Sequence, residues 1–320
     1  MKRKSTVKKL KALLLLVLLF SVVVVGLYLA GIDVKIVPQS VKNGLDAITG
    51  EVSRVVGTSE GSKKLVDVYE KYVAGLGGAD TGVEITQDVV SGMEIPSYVK
   101  GHQVVAHNGF TLSYNEDYEQ PDWVAYELTV EELNTNNTSR TEDFREDPAI
   151  VTQSAHLDDY RNSGYDRGHL CPSADRTSSV AKNSETFLLS NMSPQLHRFN
   201  AGLWLKAEGA VRDAARDFGK VYVVTGPVFS DDMKTIGPCN VAVPESFYKV
   251  ILGVKNGEVY AIGLICPQEY QNGNLKPYLC SVNDVEKMTG LDFFPSLDDA
   301  IEEKVESAYS ASAWPKVFNL

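Results

Sequence analysis

At 320 residues, with 43% hydrophobic and 23% charged side chains, the chain can bury a sizeable core, and disorder is not the default expectation. The formal net charge is −11, yet six of the 31 Lys and Arg precede residue 12 and no acid precedes Asp33. The remainder therefore sets 25 basic residues against 42 acidic ones. That balance excludes a broad basic surface gripping nucleic acid, though it permits phosphate to be met in one local basic cleft.

Residues 1–11 form a basic segment that the positive-inside rule keeps in the cytoplasm. Residues 12–32 (ALLLLVLLFSVVVVGLYLAGI) follow as an unbroken apolar or small run. As a helix rising ~1.5 Å per residue, this run spans about 30 Å, the hydrocarbon thickness of a bilayer. A cleaved signal peptide has a shorter apolar centre and a small-x-small site, and Tyr28 occupies the wrong position in Tyr28-Leu29-Ala30. The expectation is a transmembrane anchor with everything after Asp33 outside the cytoplasm; cleavage would give a secreted protein instead.

Residues 33–90 are rich in Gly, Ser, Val and charge and read as a spacer. Leu65, Val68, Tyr69 and Tyr72 recur there at helical spacing until Gly75, Gly77 and Gly78 break the pattern. The domain proper is expected over 91–320. A hairpin is expected around His107-Asn108-Gly109, then a strand over 123–130 (WVAYELTV) and a helix over 203–218. Further strands fall at 221–225, 247–254 and 259–266, the last two joined by Asn256-Gly257. Ser281 with Asp284, and Ser296 with Asp299, read as helix N-termini, and Gly290 stops the first of these helices. Strand groups interrupted irregularly by helices give an α+β domain. There is no fixed repeat, no Walker loop and no GxGxxG after a strand. Cys171, Cys239, Cys266 and Cys280 lack zinc-site spacing; buried thiols and paired cystines both remain open.

The densest polar cluster is residues 160–176, YRNSGYDRGHLCPSADR. Asp166-Arg167-Gly168-His169 follows a Ser-Gly bend and precedes Cys171-Pro172, so a strand edge or turn is expected. By itself such a run is more often a solvated turn than a site. A second segment adds Ser190-Asn191, Pro194-Gln195 and then Asn200, four residues before Trp204; an Asn at a helix start is ordinarily a cap.

Together with Thr225-Gly226-Pro227 and residues 244–250 (PESFYKV), these segments resemble the DNA/RNA non-specific endonucleases, the ββα-metal nucleases that include mitochondrial endonuclease G. The resemblance covers about residues 95–314. It implies a central antiparallel sheet flanked by helices and a Mg²⁺-dependent hydrolysis of DNA and RNA, with Mn²⁺ as an alternative ion. It casts His169 as general base, Arg167 as phosphate clamp and Asn200 as the direct metal ligand. Asp166 is expected to orient the loop. Arg140 is the candidate second arginine, with Arg145 as its substitute. Glu208 matches the family's helical glutamate, but in a regular helix it lies ~12 Å along and about 80° around from Asn200, so contact through metal-bound water is the consistent reading.

His102, His107, His156 and His197 lack ligand spacing and read as packing or surface residues. The acid excess is reconciled by assigning acid to the spacer and to distal helices such as 298–306. Arg167, Arg176, Arg198 and Arg212 are then expected to make the cleft positive. Two rival readings remain: a phosphodiesterase for single-stranded or short nucleic acids, with Phe199 and Trp204 as stacking candidates although the spacing of Trp204 places it on the helix's inner, core face, and an inactive tethered binder.

Overall fold

The computed structural model describes residues 83–84, 92–269, 273–315 and 318. The basic segment, the 12–32 run and all of the spacer but Val83–Glu84 lie outside the described residues. Among the described residues, no helix is long and apolar enough to cross a membrane.

An eight-stranded, wholly antiparallel sheet is the centre of the fold. Its strands are β1 (Val83–Glu84), β2 (Gln103–Ala106), β3 (Thr111–Asn115), β4 (Gln120–Thr129), β7 (Lys220–Val228), β10 (Ser246–Lys255), β11 (Glu258–Pro267) and β12 (Leu279–Cys280). They run in the order β1-β11-β10-β7-β4-β3-β2, with β12 also on β11. The long strands obey the period-two rule from both sides. In β4, Val124, Tyr126 and Leu128 point to one core while Trp123 and Ala125 point to another. A sheet buried on both faces must be covered twice. Helix α4 (Leu205–Phe218) lays Ala207, Ala210, Val211, Ala214 and Ala215 on the first face. Helices α5 (Val282–Thr289) and α6 (Asp299–Ser307) cover the second with Val282, Val285, Ile301 and Val305.

Small elements carry the remaining polar sequence: α1 (Val130–Asn134), α2 (Leu157–Tyr160), α3 (Val180–Glu185) and the two-stranded ribbons β5–β6 (Asp166–His169 with Met192–Gln195) and β8–β9 (Thr235–Ile236 with Val241–Ala242).

The α+β expectation and the principal strands hold. Asn256 and Gly257 both adopt positive φ, the conformation a two-residue hairpin turn needs. Ser281 and Asp284 exchange backbone bonds as a capping box, and Gly290 ends α5 at φ +72°. Three expectations shift. The second distal helix is capped at Asp298, not Ser296, because the chain is still non-helical through Leu297. The helix before β7 begins earlier than residue 203, as described below. Gly109 serves packing rather than a left-handed turn: a Cβ there would sit 2.9 Å from the Arg176 side chain.

Arg176 is correspondingly a strut and not part of any cleft. It is 2% exposed and donates to the carbonyls of Gly109 (2.6 Å), Asp175 (2.7 Å) and Glu127 (2.8 Å). Arg176→Met is expected to lower unfolding free energy by about 3 kcal/mol in urea denaturation, because buried carbonyls lose charge-assisted donors. A loss of substrate binding with stability intact would instead make it a phosphate contact.

Candidate active site

The Asp166–His169 strand pairs with Met192–Gln195 in the register Asp166↔Gln195, Arg167↔Pro194, Gly168↔Ser193, His169↔Met192. Gly168 is obligatory in this ribbon, since a Cβ would fall 2.1 Å from the Gln195 side chain. The chain leaving β5 is clamped by Asn191. Its amide accepts from Cys171 N (2.9 Å) and donates to the carbonyls of Cys171 (3.0 Å) and Thr186 (2.8 Å).

Beyond β6, a helical turn at His197–Phe199 runs into a π-helical turn over Asn200–Trp204 and then into α4. Asn200 is thus no simple N-cap but the first residue of the π turn. Its Nδ2 donates to Asp166 Oδ2 at 2.9 Å, which leaves Oδ1 free to face the cleft that Asn200 lines. Asp166, expected to orient its own loop, meets both Asn200 Nδ2 and His197 Nδ1 at 2.9 Å. A π turn rotates each residue through less than the ~100° of an α-helix, so Glu208 comes closer to the side of Asn200 than regular helix geometry allows. At the end of this turn, Trp204 Nε1 donates to His169 O at 3.0 Å and ties the helix to the DRGH strand.

His169 is distinct among the five histidines. His102 meets Asp122, His107 meets Asp147 at 3.0 Å, His156 meets Glu146 at 2.8 Å, and His197 meets Asp166 at 2.9 Å. Their structural reading stands. His169 has no carboxylate; its Nε2 is buried without a hydrogen-bond partner. The ring lies edge-on to Phe187 and Phe144, with centroids 4.9 and 5.8 Å away. Arg140 stacks over Phe187 at 4.8 Å and Arg167 over Phe144 at 4.1 Å. Burial, then repulsion from Arg140 and Arg167, depresses the imidazole to about 3. The ring is therefore neutral at physiological pH.

Arg140 also donates to Ser173 Oγ at 2.8 Å and lines the cleft with Phe144, Tyr160, Tyr165, Arg167 and Asn200. Arg145 is turned away, bound to Asp143 at 2.8 Å and to Ser184 O at 3.1 Å, so it does not replace Arg140 in that lining. The cleft encloses about 620 Å³, and its wall sets Arg140, Arg161 and Arg167 against Glu142 and Asp166.

Glu208 stands apart from this wall. It is 9% exposed rather than a surface glutamate, and burial raises its carboxyl to about 7 against the pull of Lys249 and Arg212. The structure thus brings Arg140, Arg167 and Asn200 to one cleft, with His169 buried against Phe144 of its wall and Glu208 further along the helix that carries Asn200.

The remaining arginines depart from expectation. Arg176 is the strut described above, Arg212 pairs with buried Asp175 at 2.9 Å, and Arg198 donates to Glu269 O. Phe199 and Trp204 are fully buried and mutually stacked at 5.5 Å, so neither offers a platform for a base. The four cysteines are unpaired thiols. Acid does gather in the distal helices: burial and mutual repulsion raise Glu302 to about 7 and Glu306 to about 9. Three features gave no signal in the sequence: the Phe144–Phe187 sandwich, the Trp204 bond to His169 and the complete burial of Lys249. Each joins residues far apart in the chain.

A sequence model of the DNA/RNA non-specific endonucleases matches residues 92–300. The chain belongs to that family. Mitochondrial nuclease EXOG of Danio rerio is 36% identical over 208 residues, 60% of this chain and 60% of that protein. Nuclease C1 of Cunninghamella echinulata var. echinulata is 37% identical over 205 residues, 59% of this chain and 81% of that protein. Among solved structures, EndoG in its complex with EndoGI superposes with a TM-score of 0.58 at 32% identity, covering 61% of this chain and 86% of that one. The chain thus spans about 60% of the EXOG relative, and the shared part is the α+β domain that holds the cleft.

The depressed imidazole carries a stability signature. Its folded value, about 3, lies below the ordinary ~6.5, so between these values the unfolded chain takes a proton that the native chain refuses. Stability attributable to this group is complete above about pH 6.5 and falls toward pH 3, by ~1.4 kcal/mol per unit. Urea denaturation at pH 6.5 and 5 is expected to show a steeper acid loss for the wild type than for His169→Phe; equal slopes would place the imidazole in water.

Proposed function

We propose that this endonuclease-family chain is a metal-dependent hydrolase of phosphodiester bonds in DNA and RNA, with little regard for sequence. The observation that carries the reading is the partner-free Nε2 of a neutral histidine packed against Phe187 and Phe144, the two rings on which Arg140 and Arg167 stack beside the cleft that Asn200 lines. His169 takes the proton of the attacking water; its lone pair is available, and its basicity, which burial and the two arginines hold below the near-neutral value expected of a general base, rises when bound phosphate neutralises those arginines. Arg140 and Arg167 face the same space and hold the phosphate through paired N–H donors. Both lie against aromatic rings, which limits the side-chain motion lost on binding.

The donor set fits a hard, hydrated cation. Asn200 offers one amide oxygen oriented by Asp166, and Glu208, further along the same helix, is the candidate for contact through water. Among the described residues, no three His, Cys, Asp or Glu form a metal cage. Mg²⁺, which retains several waters, suits such a sparse set, and Mn²⁺ is the expected substitute. When bound, the ion polarises the phosphate and neutralises charge on the leaving oxygen. Base-edge readers are not needed for phosphate-directed cutting, which favours activity on both nucleic acids.

The direct test is incubation of residues 77–320, which keep β1, with plasmid, single-stranded DNA and RNA, with Mg²⁺ or with chelator. All three are expected to be cut only with the metal. His169→Ala is expected to lower kcat by about 10²–10⁴-fold, and Asn200→Ala to abolish the response to Mg²⁺. Cutting that survives His169→Ala would assign the base elsewhere, and binding without cutting under every metal would remove the enzyme.

We also propose that residues 12–32 hold the domain at a membrane with 91–320 outside the cytoplasm, on the length and apolarity of that run. The full chain is expected to stay in the membrane pellet after carbonate washing, with the domain open to protease added outside the cell. Release by carbonate would show that the run does not span the bilayer.

A further inference from the structure

Lys249 is the most anomalous side chain outside the cleft. It lies in the middle of β10, wholly buried, between Phe247 and Ile251 on the sheet face that α4 covers. Burying an ammonium is costly unless its donors are met. Lys249 Nζ donates to Thr225 Oγ1 at 3.2 Å, on its cross-strand partner in β7. It forms no ion pair with a described carboxylate: burial pulls its pKa down, Glu208 is the acid that most holds the charge against this, and Asp175 is already bound to Arg212.

What the ammonium does meet is the face of Trp204, 4.1 Å from the ring centroid. A desolvated cation over indole is among the stronger contacts of this kind. Trp204 is also the residue on which the cleft is assembled. Its Nε1 holds His169 O, and its backbone closes the π turn that begins at Asn200. Phe199 and Phe247 pack against the same ring at 5.5 Å, but neither supplies charge to fix its tilt.

We propose that Lys249 is a positioning residue of the nuclease centre: its buried cation fixes the Trp204 indole, and through it the spacing between the His169 strand and the Asn200 helix. The proposal rests on the nuclease reading above. A purely structural lysine would act on stability alone. A positioning lysine acts on turnover through Trp204, so the effects of altering the two residues are not independent.

The test is a double-mutant cycle in the full chain with Lys249→Met, Trp204→Phe and both together, beside Lys249→Arg, assayed on a short oligonucleotide well below each variant's melting temperature. Lys249→Met is expected to lower kcat by about 10²-fold, the scale of a small misplacement at a reacting centre, with KM unchanged. It should add little in the Trp204→Phe background, and Lys249→Arg should recover most of the loss. An activity-independent readout is the Trp204 indole N–H resonance, identified by its disappearance in Trp204→Phe. Trp123 and Trp314 have partner-free indole N–H groups, so Trp204 is the hydrogen-bonded one. Its exchange with solvent is expected to quicken in Lys249→Met and not in Lys249→Arg.

Additive losses in the cycle, or unchanged indole exchange, would overturn the proposal. So would a kcat loss matching only the unfolded fraction. If Lys249→Met does not fold, Lys249→Gln, which keeps a donor for Thr225 without the charge, goes through the same cycle. A wild-type chain that cuts nothing would overturn the nuclease reading itself, a result the indole measurement keeps separate.

Discussion

The bond from Trp204 Nε1 to His169 O is the joint between the two halves of the cleft. On one side is a short ribbon that puts Arg167 and His169, two residues apart, on one face against Phe144, the first exposed and the second buried. On the other is a helix that opens as a π turn and holds Asn200 against Asp166. A two-strand ribbon and a distorted turn have little rigidity of their own. The indole, the Asn191 clamp and the Asp166–Asn200 bond lend them the stiffness of the eight-stranded sheet beneath. A π turn has poorer hydrogen bonding than an α turn and is commonly found where a side chain must be re-aimed. Here it begins at Asn200, whose amide it holds against Asp166.

Electrostatics in the cleft follow from separation. Two arginines and a histidine crowd one small volume, an arrangement that favours the neutral imidazole and invites an anion. Phenylalanine rings are interleaved among them, so each guanidinium gains a cation–π contact, while Glu142 accepts from Arg140 Nε at 3.2 Å and offsets part of that charge. The acid excess of the chain, which argued against nucleic acid, is partly spent elsewhere. Glu302 and Glu306 sit on α6, over the face of the sheet opposite α4, and hold their protons more tightly than ordinary carboxyls.

Much of this was legible in the sequence, for physical reasons that differ by residue. The long strands announced themselves because both faces are buried and β-branched residues fill them. Asn256-Gly257, Ser281 with Asp284 and Gly290 were legible because turns and caps depend on local chemistry. The DRGH and Asn200 segments stood out as ordered motifs, and the structure places them at one cleft. Arg176 and Arg212 were misread as cleft cations, since sequence reports charge and not direction. Phe199 was open as a stacking platform for the same reason and is core, whereas the helical spacing of Trp204 already placed it on the inner face. Ser296 looked like a cap, but the chain reaches helical geometry two residues later than the motif suggests. Lys249 gave no sign of burial, because its neighbours Thr225 and Trp204 are 24 and 45 positions away in the chain.

The central claim is that the phosphodiester is cut between His169, the two arginines and Asn200. The most direct measurement is anomalous scattering from crystals of His169→Ala grown with Mn²⁺ and a short DNA oligonucleotide. The account predicts one Mn²⁺ peak beside Asn200 Oδ1, with a phosphate held by Arg140 and Arg167 next to the space vacated by the imidazole. An oligonucleotide bound away from this cleft, or Mn²⁺ bound without Asn200, would contradict it.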